Sequence, residues 1–476
     1  MQGALIKVIF NGISALLTLG SGIVLARLLK PWEFGLFAMV VAITEFARSF
    51  MELGLSLSTV QRAEITQEEV STLFWINFAI GITIMVALAC LSAAVARFYG
   101  EPRLLDVCII MSTVFIFGGL TVQHRALLER QMRFVYLGVI NTTSTLISIC
   151  MAILLAVYGF SFWALVWRDL AFAAIYATGT WLFCGWIPSL PRWNAGVRSS
   201  LRFGAEVSGF DILQYFTRTV DQVLIGRFFG ANPLGLYTKA MQLALMPTTH
   251  ISLSILGVGI SPLSALYRDA ERYRRFYSTL LSVLSFLYMP LVVLLAIESE
   301  DLIRLLFGEA WGNAAPFLRI LAIAGFVRPI TRSYQLVMIS CGKTSRYFLW
   351  GMVNSVCTVA AFAIGIWWGA IGIAYGYAFA SYVLLIWSPF YCFKDTPING
   401  LLIIKTISIP VISSCGASAI LVAVLPHISN TNIVIRIIIS ILIIVVAYLG
   451  IWLCIPTGRK RLSEFWSYRT ELLRSA

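Results

Sequence analysis

Charged side chains inside long apolar runs are where this sequence asks for chemistry. One run near its middle carries Glu206, Asp211, Arg218, Asp221 and Arg227, with Tyr215 and Gln222 between them. Asp211, Tyr215, Arg218 and Gln222 stand at i, i+4, i+7 and i+11, which is one face of a helix. An earlier run holds Glu45, Arg48 and Glu52 at i, i+3 and i+7, and a later one places Arg328 and Arg332 one turn apart with no acid nearby in sequence. Guanidinium groups in such places bind anions, phosphate above all, through charge-assisted paired N–H donors. Carboxylates there take up protons or sodium, so Asp211, Asp221, Glu45 and Glu52 are candidates for ion coupling. For Arg48 and Arg218, each with an acid within about one turn, structural neutralisation is the alternative to lining a polar path.

The elements that must position these groups follow from composition. Of 476 residues 59% are hydrophobic and only 12% charged, with mean hydropathy +0.87, whereas soluble domains carry roughly 25% charge. Apolar runs near the ~20 residues that a bilayer core requires recur through the chain, from 4–27, 34–57 and 72–96 to 401–424 and 432–454. They predict an all-α polytopic membrane protein of about 14 transmembrane helices with no soluble domain between them. The first run is too long for a cleavable signal and no A-x-A site follows it. Alternate connections hold 19 and 4 of the Lys and Arg residues, so the positive-inside rule places both termini in the cytoplasm. The net charge of +13 is mostly this topology signal, and no compact basic domain exists to bind nucleic acid.

Enzymatic chemistry finds no support. The nine cysteines are scattered through apolar segments without CxxC or Cys/His clustering, which predicts neither disulfides nor a metal site. Of the three histidines, His124 begins a basic loop, His427 lies in a short external one and His250 reads as a core residue. There is no catalytic triad order and no phosphate-binding loop signature, so no cofactor is expected and any driving force is an ion gradient or removal of product.

An internal repeat divides the chain. Residues 25–37, LARLLKPWEFGLF, align with 225–237, IGRFFGANPLGLY, matching Arg27 with Arg227 and Gly35 with Gly235. Tyr158-Gly159 with Ala164 echoes Trp368-Gly369 with Ala374. Six helices per half make the repeat parallel, and translocation sites in such folds lie between the halves. The predicted organisation is a six-helix lobe over 1–183, an interfacial linker over 184–203 and a second six-helix lobe over 204–393. Two peripheral transmembrane helices over 394–456 and a basic cytoplasmic tail over 457–476 complete it.

The stretch DQVLIGRFFG (221–230) followed by LGLY (234–237) resembles the signature of polysaccharide repeat-unit flippases, the Wzx-type members of the multidrug/oligosaccharidyl-lipid/polysaccharide exporter superfamily. Leu128–Phe134, Phe162–Val166 and Phe307–Trp311 continuing to Leu321 support the resemblance, which is greatest to the branch of colanic-acid and teichuronic-acid exporters. It implies two six-helix lobes in a V plus two C-terminal helices. It also implies a multi-pass protein of the bacterial inner membrane that flips undecaprenyl-diphosphate-linked oligosaccharide for exopolysaccharide, capsule or lipopolysaccharide O-antigen synthesis. Arg48, Arg218, Arg328 and Arg332, with Tyr215 and Gln222, would then line a cationic central cavity for the headgroup. Trp75, Trp163, Trp167 and Tyr215 are candidates to stack on sugars. A glycan polymerase and export machinery would be the partners. The other readings are a peptidoglycan-precursor flippase, a multidrug cation antiporter, which usually has twelve helices and an acidic cavity, and a membrane glycan polymerase or ligase, which would need a large external loop.

Overall fold

The computed structural model describes residues 2–52, 56, 59–60, 65–191 and 219–461, with the backbone alone for 2–8, 11, 52 and 247–258. Every regular element among the described residues is helical, as expected where hydrocarbon offers the backbone no hydrogen-bond partner. The chain folds as two compact units, divided between Gly235 and Leu236.

The first unit contains α1 (Gln2–Leu28), α2 (Pro31–Glu52), α3 (Gln67–Tyr99), α4 (Leu104–Ser112), α5 (Val114–Arg130), α6 (Phe134–Val157), α7 (Trp163–Cys184), α8 (219–229) and the first turn of α9 (Ala231–Leu266). The second continues α9 and adds α10 (Ala270–Ile297), α11 (Ser299–Phe307), α12 (Ala315–Gly325), α13 (Arg328–Ser340), α14 (Thr344–Gly365), α15 (Gly369–Cys392), α16 (Gly400–Ile428) and α17 (Ile433–Cys454). Eight described segments are long and apolar enough to cross a membrane, or nine if the bent pair Glu309–Gly325 and Arg328–Ser340 is one span; Thr344–Cys392 counts as one although it holds both α14 and α15. The protein is therefore a polytopic, all-helical membrane protein.

Local chemistry sets the helix ends. Thr66 and Glu69 form a capping box on α3, Thr66 Oγ1 accepting from Glu69 N–H at 3.2 Å and Glu69 Oε2 from Thr66 N–H at 3.1 Å. Asp269, Asn399 and Asn432 cap α10, α16 and α17. Left-handed residues occur in pairs 210 positions apart: Met132 with Gly342, Gly159 with Gly369, Gly185 with Asp395. The repeat seen in sequence is thus also a repeat of backbone turns.

Some predicted boundaries move. The fourth apolar run divides at Thr113 into α4 and α5, and α5 continues to Arg130. The tenth breaks between α12 and α13 with a bend of 42°, where Pro329 in the first turn of α13 cannot donate a backbone hydrogen bond. The connection predicted between Glu298 and Asn313 holds α11 and a 3-10 turn. Of the linker predicted over 184–203, residues 192–203 lie outside the described residues.

Two contacts explain positions that composition leaves unexplained. The repeated motif packs on its own copy inside the first unit: a Cβ on Gly35 would sit 1.7 Å from the Ala231 carbonyl oxygen, and one on Gly235 would sit 1.8 Å from that of Pro31. Neither contact has room for a side chain. At the other end of the chain, Pro410 inside α16 deprives the Thr406 carbonyl of its helical donor. Arg461 replaces that donor, its Nη1 reaching Thr406 O at 2.6 Å and Ser282 Oγ at 3.2 Å, with Nη2 on Lys405 O at 3.2 Å. Arg461, a tail charge by its place in the sequence, is a staple between α10, α16 and the segment that follows α17.

Arg461→Ala should lower the unfolding free energy by about 1–3 kcal/mol, the cost of a buried polar group left unsatisfied. The loss should shrink when Pro410→Ala restores a backbone donor at that position. A double-mutant cycle read by thermal unfolding in detergent checks this, and additive losses would refute it. Gly35→Ala, which forces the two backbones apart, should cost more stability than Gly12→Ala, whose Cβ meets nothing within 4 Å.

Candidate functional site

A cavity of about 520 Å³ opens within the first unit, between α1, α2, α5, α6 and α7, a size in the range of small-molecule sites. Glycine at helix-facing positions makes the room. A Cβ on Gly138 would strike the Phe10 ring at 2.3 Å and one on Gly118 would strike Met51 at 2.4 Å, so both rows of side chains lie directly on bare backbone.

The polar lining is charge-paired. Arg48 Nη1 lies 3.3 Å from Glu45 Oε1 with both side chains about half exposed, and Arg125 Nε donates to Glu129 Oε1 at 3.2 Å. Asp169, the third carboxylate of the wall, accepts from Arg168 at 2.8 Å. Two guanidinium groups and three carboxylates therefore face this space. Asn141 donates to Ser14 Oγ at 2.9 Å. Phe172 and Tyr176, one turn apart on α7, stack with ring centroids 5.7 Å apart and planes 18° apart.

Arg328 and Arg332 belong to the second unit. The Arg328 guanidinium donates through Nη2 to Tyr377 Oη and sits 5.8 Å from the centre of that ring. Tyr377 in turn stacks on Phe362 at 6.1 Å. Among the described residues no carboxylate forms an ion pair with Arg328. Arg332, one turn further along α13, is partly buried.

The 210-residue repeat relates these arginines to the cavity wall. Gly118, Thr121, Val122 and Arg125 are the α5 residues that correspond to Arg328, Thr331, Arg332 and Gln335 of α13, and all four line the cavity of the first unit. The register is fixed by the left-handed residue two positions beyond each helix, Met132 and Gly342.

The other predicted residues are dispersed. Asp221 is buried at 2% exposure and its Oδ1 accepts from the Gln222 N–H at 2.8 Å; Gln222 is partly buried. Asp211, Tyr215 and Arg218 lie outside the described residues, as does the side chain of Glu52. His124 does not open a loop: it is fully buried in α5, stacked on Trp181 at 4.2 Å, with Nδ1 3.1 Å from Leu120 O and Nε2 3.2 Å from Trp186 O. Trp75 donates to Ser189 O at 2.8 Å and so fastens the start of the linker. Sequence reasoning does not single out Asp169, Phe172, Tyr176 or Asn141. A signal for the site lies in the adjacent Arg168-Asp169 pair inside an apolar run. Another lies in Arg125 and Glu129, whose i, i+4 spacing suits a helix better than the loop predicted there.

The sequence profile of the polysaccharide biosynthesis protein family matches residues 24–316. The chain belongs to this family. Among its relatives, the lipopolysaccharide biosynthesis protein WzxC of Escherichia coli (strain K12) is 25% identical over 415 residues, covering 80% of this chain and 84% of that protein. The succinoglycan biosynthesis transport protein ExoT of Rhizobium meliloti (strain 1021) is 26% identical over 344 residues, covering 72% and 69%. The solved structure of the lipid II flippase MurJ in its inward closed conformation superposes with a TM-score of 0.75, covering 94% of this chain and 98% of that one at 15% identity, a likeness of fold.

If the cavity is open to water, Asn141→Cys in a cysteine-free background should react with a membrane-impermeant thiol reagent at least about tenfold faster than Ala152→Cys, since Asn141 lines the cavity and Ala152 is fully buried. Equal rates would mean a dry, closed wall.

Proposed function

We propose that this family member is a transport protein, not an enzyme, and that it flips undecaprenyl-diphosphate-linked oligosaccharide repeat units across the bacterial cytoplasmic membrane by alternating access. The observation that carries the reading is the repeat-related helix face, which lines a cavity in one unit and carries Arg328 and Arg332 in the other. Relatives from lipopolysaccharide and succinoglycan biosynthesis, and a MurJ-like fold, support a lipid-linked saccharide as cargo.

In this proposal the two arginines contact the anionic diphosphate, offsetting its desolvation with charge-assisted hydrogen bonds. Tyr377 holds the Arg328 guanidinium without neutralising it, so its charge is left for the headgroup. The paired charges and stacked rings of the first-unit cavity suit hydroxyl-rich sugars better than a bare phosphate. The lipid tail stays in the bilayer. Fourteen spans, in two six-helix lobes over 1–183 and 204–393 with two peripheral helices over 394–456, are the organisation proposed for this work. Arg48, Arg218, Tyr215 and Gln222 are proposed to line the headgroup path. Asp211, Asp221, Glu45 and Glu52 are proposed to couple an ion gradient, with a glycan polymerase and export machinery acting downstream.

Arg328→Gln and Arg332→Gln should each reduce glycan export by about 10- to 100-fold at equal protein level, the loss of one to two charge-assisted contacts. Lys should rescue only part of it, because a point charge cannot make the bidentate contact. Lipid-linked saccharide should accumulate on the inner leaflet in parallel; unchanged export in all four variants would remove both arginines from the path. Headgroup translocation in proteoliposomes should respond to an imposed proton or sodium gradient, and indifference to both would end the coupling proposal.

A further inference from the structure

The second unit holds another group of buried charges, at the end predicted to face away from the cytoplasm. Glu298 is the residue that closes α10, and Asp301 follows in the first turn of α11. Both are buried, at 2% and 8% exposure. They face α17. Ser440 Oγ donates to Glu298 Oε1 at 2.8 Å, Arg436 forms an ion pair with Asp301, and Arg436 Nη1 donates to Ser429 O at 3.2 Å. The two carboxyl groups are within hydrogen-bonding reach of each other.

One guanidinium therefore serves two buried acids. With both ionised, the group carries an uncompensated negative charge largely shielded from water, where an unpaired charge is costly. A proton on Glu298 cancels that charge and turns its carboxyl into a donor for Asp301 while Ser440 still donates to Glu298. The remaining charges on the surrounding elements do not supply the missing cation. Glu300 of α11 pairs with Arg319 of α12 at 3.1 Å, Arg304 of α11 pairs with Glu309 at 3.6 Å, and all four are largely exposed. His427, near the end of α16, is exposed as well.

We infer that Glu298 is a proton-binding residue and that Glu298, Asp301, Arg436 and Ser440 form an acid-stabilised latch holding α17 against α11. Burial raises the Glu298 carboxyl above its ordinary value, opposed by the Ser440 hydrogen bond and reinforced by the neighbouring Asp301 charge. A raised native value fixes the sign. The latch contributes in full below the ordinary glutamate value of 4.5 and weakens as pH rises through the native value. The external end of the last helix pair thus responds to protons independently of what the protein transports.

Amide hydrogen exchange of the full chain in nanodiscs tests this. Protection across 299–307 and 433–440, corrected for the intrinsic chemical rate, is compared at about pH 5 and about pH 8 in the wild type and in Glu298→Gln. In the wild type, opening should increase by up to about tenfold per pH unit within that window, the linkage of one proton. Glu298→Gln, an amide that mimics the protonated acid, should keep its protection at both values. Equal protection of the wild type at both pH values overturns the latch, and so does a Glu298→Gln variant that loosens as the wild type does. The wild-type comparison stands even where the variant does not fold.

Discussion

A backbone carbonyl in hydrocarbon has no water to turn to, and much of this structure is arranged around that constraint. Where a helix is continuous the next turn supplies the donor. Where proline interrupts it, a side chain can. Arg461 supplies Thr406 opposite Pro410, and the Tyr334 hydroxyl approaches the Leu385 carbonyl, at 3.5 Å, opposite Pro389. The same constraint lays the long cationic side chain of a nominal tail against α10 and α16, where composition would have left it in solvent.

Charge follows a related logic. An ion removed from water needs a partner, and the protein answers in two ways. In the first unit each arginine of the cavity has a carboxylate within 3.3 Å, which makes the space polar without making it strongly charged. In the second unit Arg328 is held by a phenol and an aromatic face instead. A tyrosine hydroxyl satisfies a guanidinium N–H and leaves the positive charge intact, so the two halves of one repeat present different electrostatics from the same backbone.

Much of the fold was legible in the sequence because apolar runs near bilayer length have few alternatives to helix, and the repeat was visible in the spacing of Arg27, Gly35 and their counterparts. The Glu45–Arg48 pair was legible for the same reason, since i, i+3 spacing brings the groups together on any helix. What escaped depended on contacts between distant segments. The nine-residue α11 is too short to read as a span, and its buried Asp301, Ile303 and Phe307 reveal that it packs. His124 sits beside Arg125 in sequence and resembles loop chemistry until Phe74, Trp181 and Trp186 close over it. The cavity wall draws on five helices, and no local pattern announces which of their faces meet.

The reciprocal meeting of Gly35 with Ala231 and Gly235 with Pro31 has an implication for ancestry. A patch that touches its own duplicate through equivalent residues has the symmetry of an isologous dimer contact. A half-length forebear carrying this motif once would already have possessed a self-complementary surface, able to associate as a side-by-side pair in the bilayer before fusion joined the copies. Such a contact also binds the two copies of the motif to a common fate: enlarging a residue on either side of the crossing displaces the other, so drift in one copy is constrained by the other.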